Sequence, residues 1–361
     1  MTFRNNSFIM VVVLFTVAIV ALTATAADPT AAAKPNVVYF IIDELGYFGP
    51  SYRGGENLQT PNIDRLAASG VIMNNVLSGG PNCAPARCTL MTGMHTGHAS
   101  IRDNGSYDTI RVEEKTIAEV LKPLGYAAGG FGKWGIGGRD STGAPEKHGF
   151  DVFFGYYDQA HAHTYYPPYF IRNSEEIPLA GNKGGTKGQT YSQYLIHDAA
   201  MKFLKEHAGK KPFFAYLPYT PPHAPVTIPE DDPAWAVYKD KPWSMDARRY
   251  AAMVMMVDRQ IGEILDLLKE RGIEKNTIVF LSGDNGAKDL FADKEHPRGL
   301  FSSNKSPDGS IEFRGGKGNP YEGSFRVPFL VSWPGKIAPT RRCTGPMATP
   351  GPCAMATSNW C

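Results

Sequence analysis

Two runs of apolar, β-branched and aromatic residues that end in acids restrict the folds open to this chain. They are Pro35–Asp43 (PNVVYFIID) and Asn276–Gly286 (NTIVFLSGDNG). A strand with one face in water alternates apolar and polar residues. A nearly continuous apolar run belongs instead to a strand covered on both faces, as in a parallel sheet between helices. Pro212–Pro225 (PFFAYLPYTPPHAP) is a third such strand, passing into a proline-stiffened loop that carries His223. Between strands, Gln260–Arg271 sets Ile261, Ile264, Leu265 and Leu268 on one helical face, with Gly272 as the stop. The pattern predicts an α/β fold with a mainly parallel, mixed sheet sandwiched between helices. Sites in such sheets lie beyond the carboxyl ends of the strands, where Asp43, Glu44, Asp284, Asn285 and His223 fall.

Charge excludes one class of partner. The chain has 37 Lys and Arg against 35 Asp and Glu, too balanced for a surface that grips nucleic acid. Residues 1–26 carry a single charge, Arg4, then an apolar stretch from Phe8 to Leu22 and a small-x-small end at Ala24-Thr25-Ala26. They read as a signal peptide, too short in its apolar part to span a bilayer, followed by a leader over 27–34. A secreted or periplasmic protein is expected, free of the membrane after cleavage, in an oxidising and calcium-rich compartment. The catalytic domain is expected over 35–339. Residues 340–361 hold three of the five cysteines, Cys343, Cys353 and Cys361, and show no helical or strand period. They read as an atypical disordered tail, with the composition of a shifted reading frame and no function.

The most informative segment is Pro81–Gly93 (PNCAPARCTLMTG). Proline favours the first turn of a helix, so a helix starting at Pro85 sets Cys83 at its positive end. Unpaired N–H groups there, with Arg87 four residues on, suit a tetrahedral oxyanion. The segment thus joins a nucleophile to an anion site. A Cys83–Cys88 disulfide is disfavoured, because residues bracketing a helix start point in different directions.

CAPAR followed by TLMTG resembles the C-x-P-x-R signature of the type I sulfatases, in which a maturation enzyme oxidises the Cys to formylglycine. Six further segments occur in matching order: IIDELGY (Ile41–Tyr47), TPNIDRLAASG (Thr60–Gly70), GYAAGGFGKWG (Gly125–Gly135), TPPHAP (Thr220–Pro225), SGDNG (Ser282–Gly286) and GGKGNPYEG (Gly315–Gly323). Together they are specific, and they cover Pro35 to about Ile337. The resemblance implies the alkaline phosphatase-like sulfatase fold. Members usually continue into a smaller C-terminal subdomain, which this chain is expected to lack.

The resemblance also implies roles. Cys83, as formylglycine, would be the nucleophile, with Arg87, Lys133, His223 and Lys317 as the other catalytic groups. Lys133, His223 and Lys317 would bind the sulfate. Asp43, Glu44, Asp284, Asn285 and the modified Cys83 would hold Ca²⁺, which takes six to eight oxygen ligands. Glu44 departs from the family's usual Asp. Gly135 departs from the family's GKWH, so the imidazole that takes a proton from the formylglycine hydrate is missing. Either His161 or His163 reaches in, or a water or Asp43 serves, or elimination is slow, and His163 is carried forward as a substrate-binding residue.

Aromatic rings over Phe153–Phe170, and Trp235 and Trp243 in an expected insertion over Glu230–Arg249, are either sugar platforms or loop core. The implied function is that of a secreted, calcium-containing sulfuric ester hydrolase acting on sulfated carbohydrate or aryl sulfate. Its partners would be that substrate and the formylglycine-generating enzyme. A phosphonate or phosphodiester hydrolase is one alternative, and a non-catalytic protein binding sulfated glycans is another.

Overall fold

Asn36–Ile42 (β1) lies in the interior of a nine-stranded sheet, paired in parallel with Phe213–Tyr219 (β7) on one side and Thr277–Gly283 (β8) on the other. These are the three strands expected from the apolar runs. The remaining strands are Val71–Ile72 (β2), Ala127–Lys133 (β3), Val152–Tyr156 (β4), Tyr169–Arg172 (β5), Glu175–Pro178 (β6) and Phe329–Ser332 (β9). The sheet order is β2-β9-β8-β1-β7-β3-β4-β5-β6, parallel from β8 to β4 and antiparallel toward both edges. A mixed, mainly parallel sheet is therefore found. The computed structural model describes residues 34–337 except 56, 106–107, 289–290, 292–293, 295, 297–298 and 302–303. The expected signal peptide, the leader up to residue 33 and the 340–361 tail lie outside the described residues.

Alternation along β1 divides the core. Val38, Phe40 and Ile42 face one layer, with Ile63 and Leu66 of Pro61–Ser69 (α1), Ile196 and Phe203 of Ser192–His207 (α4), and Ile261 and Ile264 of Met245–Glu270 (α6). Tyr39 and Ile41 face the other, with Cys88 and Met91 of Cys83–Thr92 (α2), Ala118 of Ile117–Leu121 (α3), and Trp134 and Phe150. Successive side chains of a strand point to opposite faces, so the apolar run needs helices on both sides. Full burial of each such side chain is worth roughly 1.5–3 kcal/mol.

Helix α6 starts well before the expected Gln260. Ser244 caps it by accepting from the Ala247 N–H at 3.2 Å, and its buried face continues back through Tyr250 and Ala247. The stretch read as an insertion, Glu230–Arg249, thus holds Pro233–Tyr238 (α5) and the first turn of α6. Strand β3 was not expected, since glycines make up three of its seven residues. At Gly132 the backbone has φ +136° and a Cβ would lie 2.1 Å from the Pro218 carbonyl oxygen, so β3 can approach β7 only without a side chain there.

Candidate active site

The carboxyl ends of β1, β7, β8 and β3 deliver Asp43, His223, Asp284 and Lys133 to one side of the sheet, where the N-terminus of α2 presents Cys83. Helix α2 starts at Cys83 itself, two residues earlier than the proline suggested, and Asn82 precedes it in extended conformation. The Ala84 N–H donates to Asn104 Oδ1 at 2.8 Å, so this helix-end donor is already satisfied. The cationic side chains are what an anion meets. Cys83 and Cys88 are both buried free thiols, and the disulfide is not formed.

Charge is concentrated around Cys83. Lys317 Nζ donates to Cys83 Sγ at 3.1 Å and to Glu44 Oε1 at 2.6 Å. Cys83 Sγ in turn donates to Asp43 Oδ1 at 3.5 Å. Asp43 Oδ2 lies 2.7 Å from Lys133 Nζ and 3.3 Å from Arg87 Nη2, and Arg87 reaches Asp284 Oδ2 at 3.1 Å. Arg87, Lys133 and Asp43 have no solvent exposure, and burying such charges is tolerable only because each is paired.

These contacts set protonation. Burial alone would raise the Asp43 carboxyl, but Lys133, His223, Arg87 and Lys317 outweigh it and hold Asp43 well below the usual range. Asp284, with burial and the neighbouring Asp43 charge against it, is raised. Burial, reinforced by Asp43, pushes the Cys83 thiol up to about 11. An unmodified Cys83 is therefore a neutral thiol at pH 7 and a poor nucleophile. Burial works against the Lys317 ammonium, yet Asp43, Cys83 and Glu44 overcome it and keep Lys317 charged.

His223 donates from Nδ1 to the Ala224 carbonyl at 2.5 Å. A carbonyl only accepts, so Nδ1 carries the proton and Nε2 is the titrating nitrogen, 3.6 Å from Glu44 Oε1. Burial lowers the His223 pKa, which makes its imidazolium a readier proton donor. His163 stacks on His223, with ring centroids 4.6 Å apart and planes 4° from parallel. Burial of that stacked face, with Lys133 and His223 nearby, lowers His163 to about 4. His161 is turned away, its Nε2 3.0 Å from the Tyr169 carbonyl oxygen. Of the two histidines in DQAHAH, His163 is the one that meets the site.

Asp43, Asp284 and Asn285 offer oxygen donors that fit a hard divalent cation. Asn285 Oδ1 is buried and finds no hydrogen-bond partner among the described residues, as expected of a ligand atom awaiting an ion. One ligand atom each from Asp43, Cys83 and His223 also lies within 4.8 Å of the others. Glu44 differs from the expected ligand arrangement. Its backbone is left-handed (φ +63°), its N–H donates to Asp284 Oδ1 at 3.2 Å, and its carboxylate meets Lys317, with His223 and Lys288 3.6 and 3.9 Å away.

Most of the aromatic segment is core. Phe153, Tyr156, Tyr157, Tyr165 and Phe170 are buried, and Trp243 packs edge-on against Phe301. Tyr165 does contribute, donating from its hydroxyl to the His223 carbonyl at 2.7 Å. Sequence reasoning missed it, and it missed Gln159, whose Nε2 donates to the Gly135 carbonyl at 3.0 Å.

Comparison with known proteins agrees with this fold. Residues 35–348 match the family model described as Sulfatase. Human N-acetylgalactosamine-6-sulfatase is 30% identical over 334 residues, covering 84% of this chain and 58% of that protein. Mouse arylsulfatase J is 28% identical, covering 84% of this chain and 48% of its own. The chain thus spans about half the length of these curated relatives. Among solved structures, Ps i-CgsB in complex with k-i-k-neocarrahexaose superposes with a TM-score of 0.70 at 27% identity, covering 85% of this chain and 67% of that one.

Proposed function

The chain belongs to the sulfatase family, as a type I sulfatase of the alkaline phosphatase superfamily, and on that premise we propose that it hydrolyses sulfate esters through a group made from Cys83. The observation that carries this reading is the convergence of Lys133, Arg87 and Lys317 around a buried Cys83 whose own thiol is pushed up to about 11. A thiol so disfavoured as thiolate makes sense as the precursor of another nucleophile. Oxidised by a formylglycine-generating enzyme, residue 83 would supply a hydrated aldehyde whose one hydroxyl attacks sulfur as the alcohol leaves, and whose second hydroxyl, losing its proton, would collapse the sulfate hemiester to aldehyde and free sulfate.

The chain's other residues then have separable tasks. Lys133 and Arg87 hold the non-bridging sulfate oxygens, and Lys317 neutralises charge developing on the leaving oxygen. His223 delivers a proton to that oxygen from Nε2, and Tyr165 fixes the backbone that carries it. His163, stacked on His223 and exposed on its other face, forms the wall against which the alcohol portion rests. Asp43, Asp284 and Asn285 would hold Ca²⁺, with Glu44 contributing mainly by orienting Lys317. When bound, the ion would add positive charge beside the sulfate and draw the residue-83 hydroxyl toward deprotonation.

A sulfated carbohydrate is the favoured substrate class. The human relative's name specifies an amino-sugar sulfate, and the Ps i-CgsB structure holds a neocarrahexaose. Export through the signal read at 1–26, as a secreted or periplasmic enzyme, fits such a substrate. The test is sulfate release from sulfated mono- and oligosaccharides and from a nitrophenyl sulfate, after co-production with a formylglycine-generating enzyme. Release that vanishes in Cys83→Ala supports the reading, and preferential turnover of phosphate diesters or phosphonates contradicts it.

A further inference from the structure

Gly135 sits two residues past the end of β3 with φ +75°, and it leaves unused a direction that points into the site. A Cβ built there would lie 2.4 Å from Gln159 Nε2 and 3.6 Å from Arg87 Cδ. The Gln159 carboxamide therefore fills the space that a side chain at 135 would enter, beside the Arg87 stem. Gln159 is only 7% exposed, and its Nε2 is committed to the Gly135 carbonyl. Its Oε1 is buried with no hydrogen-bond partner among the described residues, and the same holds for Arg87 Nε. Leaving a buried carboxamide oxygen unpaired is destabilising, so one retained beside a reaction centre calls for an explanation. Arg87, whose stem borders that space, is itself held by Asp43, Asp284 and the Lys133 carbonyl, so Gln159 brings a neutral polar group there without adding charge.

We propose that Gln159 is a positioning residue of this site, entering from the Asp158–His163 turn to take the place of the absent side chain at 135 and to pack beside the Arg87 stem. The proposal rests on the sulfate-ester reading for its role in turnover, but not for its role in anion binding. Two consequences follow from the geometry. Replacing the carboxamide by an apolar side chain removes the polar group beside the Arg87 stem without opening the core, and side chains at 135 and 159 exclude one another.

The test uses the full chain, co-produced with a formylglycine-generating enzyme, with inorganic sulfate as binding probe and a nitrophenyl sulfate as substrate. Gln159→Leu is expected to weaken sulfate binding and lower kcat/KM by about tenfold or more, with the melting temperature within about 3 °C of wild type. Gly135→Asn, chosen because Asn tolerates a left-handed backbone, is expected to lose sulfate binding through collision with Gln159. The double variant Gly135→Asn with Gln159→Ala, which supplies the carboxamide from the other side, is expected to recover most of it. The double variant decides the matter even where Gln159→Leu folds poorly. The inference is overturned if Gln159→Leu binds sulfate as wild type does, if its losses follow its melting temperature, or if Gly135→Asn is tolerated with Gln159 intact. A wild-type protein that binds sulfate but releases none from esters counts against the sulfatase reading alone, and the binding arm still decides on Gln159.

Discussion

Lys317 Nζ lies 3.1 Å from Cys83 Sγ and 2.6 Å from Glu44 Oε1, joining three residues from distant parts of the chain. The ammonium is raised in pKa by Asp43, Cys83 and Glu44 against the cost of burial, so it remains a fixed positive charge across the working pH range. A charge kept in place before the reaction needs no reorganisation when the leaving oxygen becomes negative.

Lys317→Ala should therefore lower kcat by about 10²–10³, the usual effect of removing one donor aimed at developing charge. Steady-state kinetics on a nitrophenyl sulfate check this. A loss confined to KM would show that Lys317 serves ground-state binding instead.

Asp43, Asp284 and Asn285 place oxygen donors at the carboxyl ends of β1 and β8, and Asn285 Oδ1 is unpartnered among the described residues. Calcium should raise the melting temperature of the wild-type protein, by mass action worth about 2.7 kcal/mol at one hundred times Kd. Asn285→Ala should show a clearly smaller rise in the same titration. Equal rises in both proteins would place the ion elsewhere.

Stability at low pH should depend on Asp232. Its carboxylate receives Arg259 through Nη1 at 3.1 Å and Nη2 at 2.9 Å, the Tyr194 hydroxyl at 2.6 Å and the Ala234 N–H at 2.8 Å. Burial would raise its pKa, but Arg259, Tyr194 and the Ala234 N–H together lower it. A depressed carboxylate contributes stability in full above its unfolded pKa, about 3.9, and loses it as pH falls through the lower folded value. Asp232→Asn should cost about 1–3 kcal/mol near neutrality, discounted because Arg259 is partly exposed. In denaturant melts the gap between the two proteins should hold from pH 7 to about 5 and close below about 4.

His163 should matter through contact with His223, not through charge. Its pKa of about 4 leaves it neutral in ordinary buffers. His163→Phe keeps a flat ring on His223 and should hold kcat within about threefold of wild type, whereas His163→Ala should lower it about tenfold. Comparable losses in both would assign His163 a hydrogen-bonding role instead.

How far the sequence could be read depends on which signal each element carried. Strands β1, β7 and β8 are buried on both faces, and burial wrote itself as unbroken apolar runs. Strand β3 is equally buried, but Gly129, Gly130 and Gly132 erase the β-branched signal. The first half of α6 was hidden for a similar reason, since it buries Ala and Met where Leu and Ile would have marked a helical face. Asp43, Lys133, Asp284 and Lys317 were found because each sits in a motif of several fixed residues. Gln159 carried no such mark. Only the backbone at Gly135, twenty-four positions away, makes it visible as the occupant of a side chain's space. Glu44 could be recognised as a departure from the family, but not the turn of its carboxylate toward Lys317, which follows from a left-handed backbone.

The account turns on Cys83 being the precursor of the nucleophile. The direct measurement is the intact mass of the Cys83 peptide from protein co-produced with a formylglycine-generating enzyme, paired with sulfate release by the same sample. The account predicts a loss of roughly 18 Da, thiol to aldehyde, and turnover that rises with the modified fraction. An unmodified thiol in protein that still releases sulfate, or full conversion without any release, would contradict it.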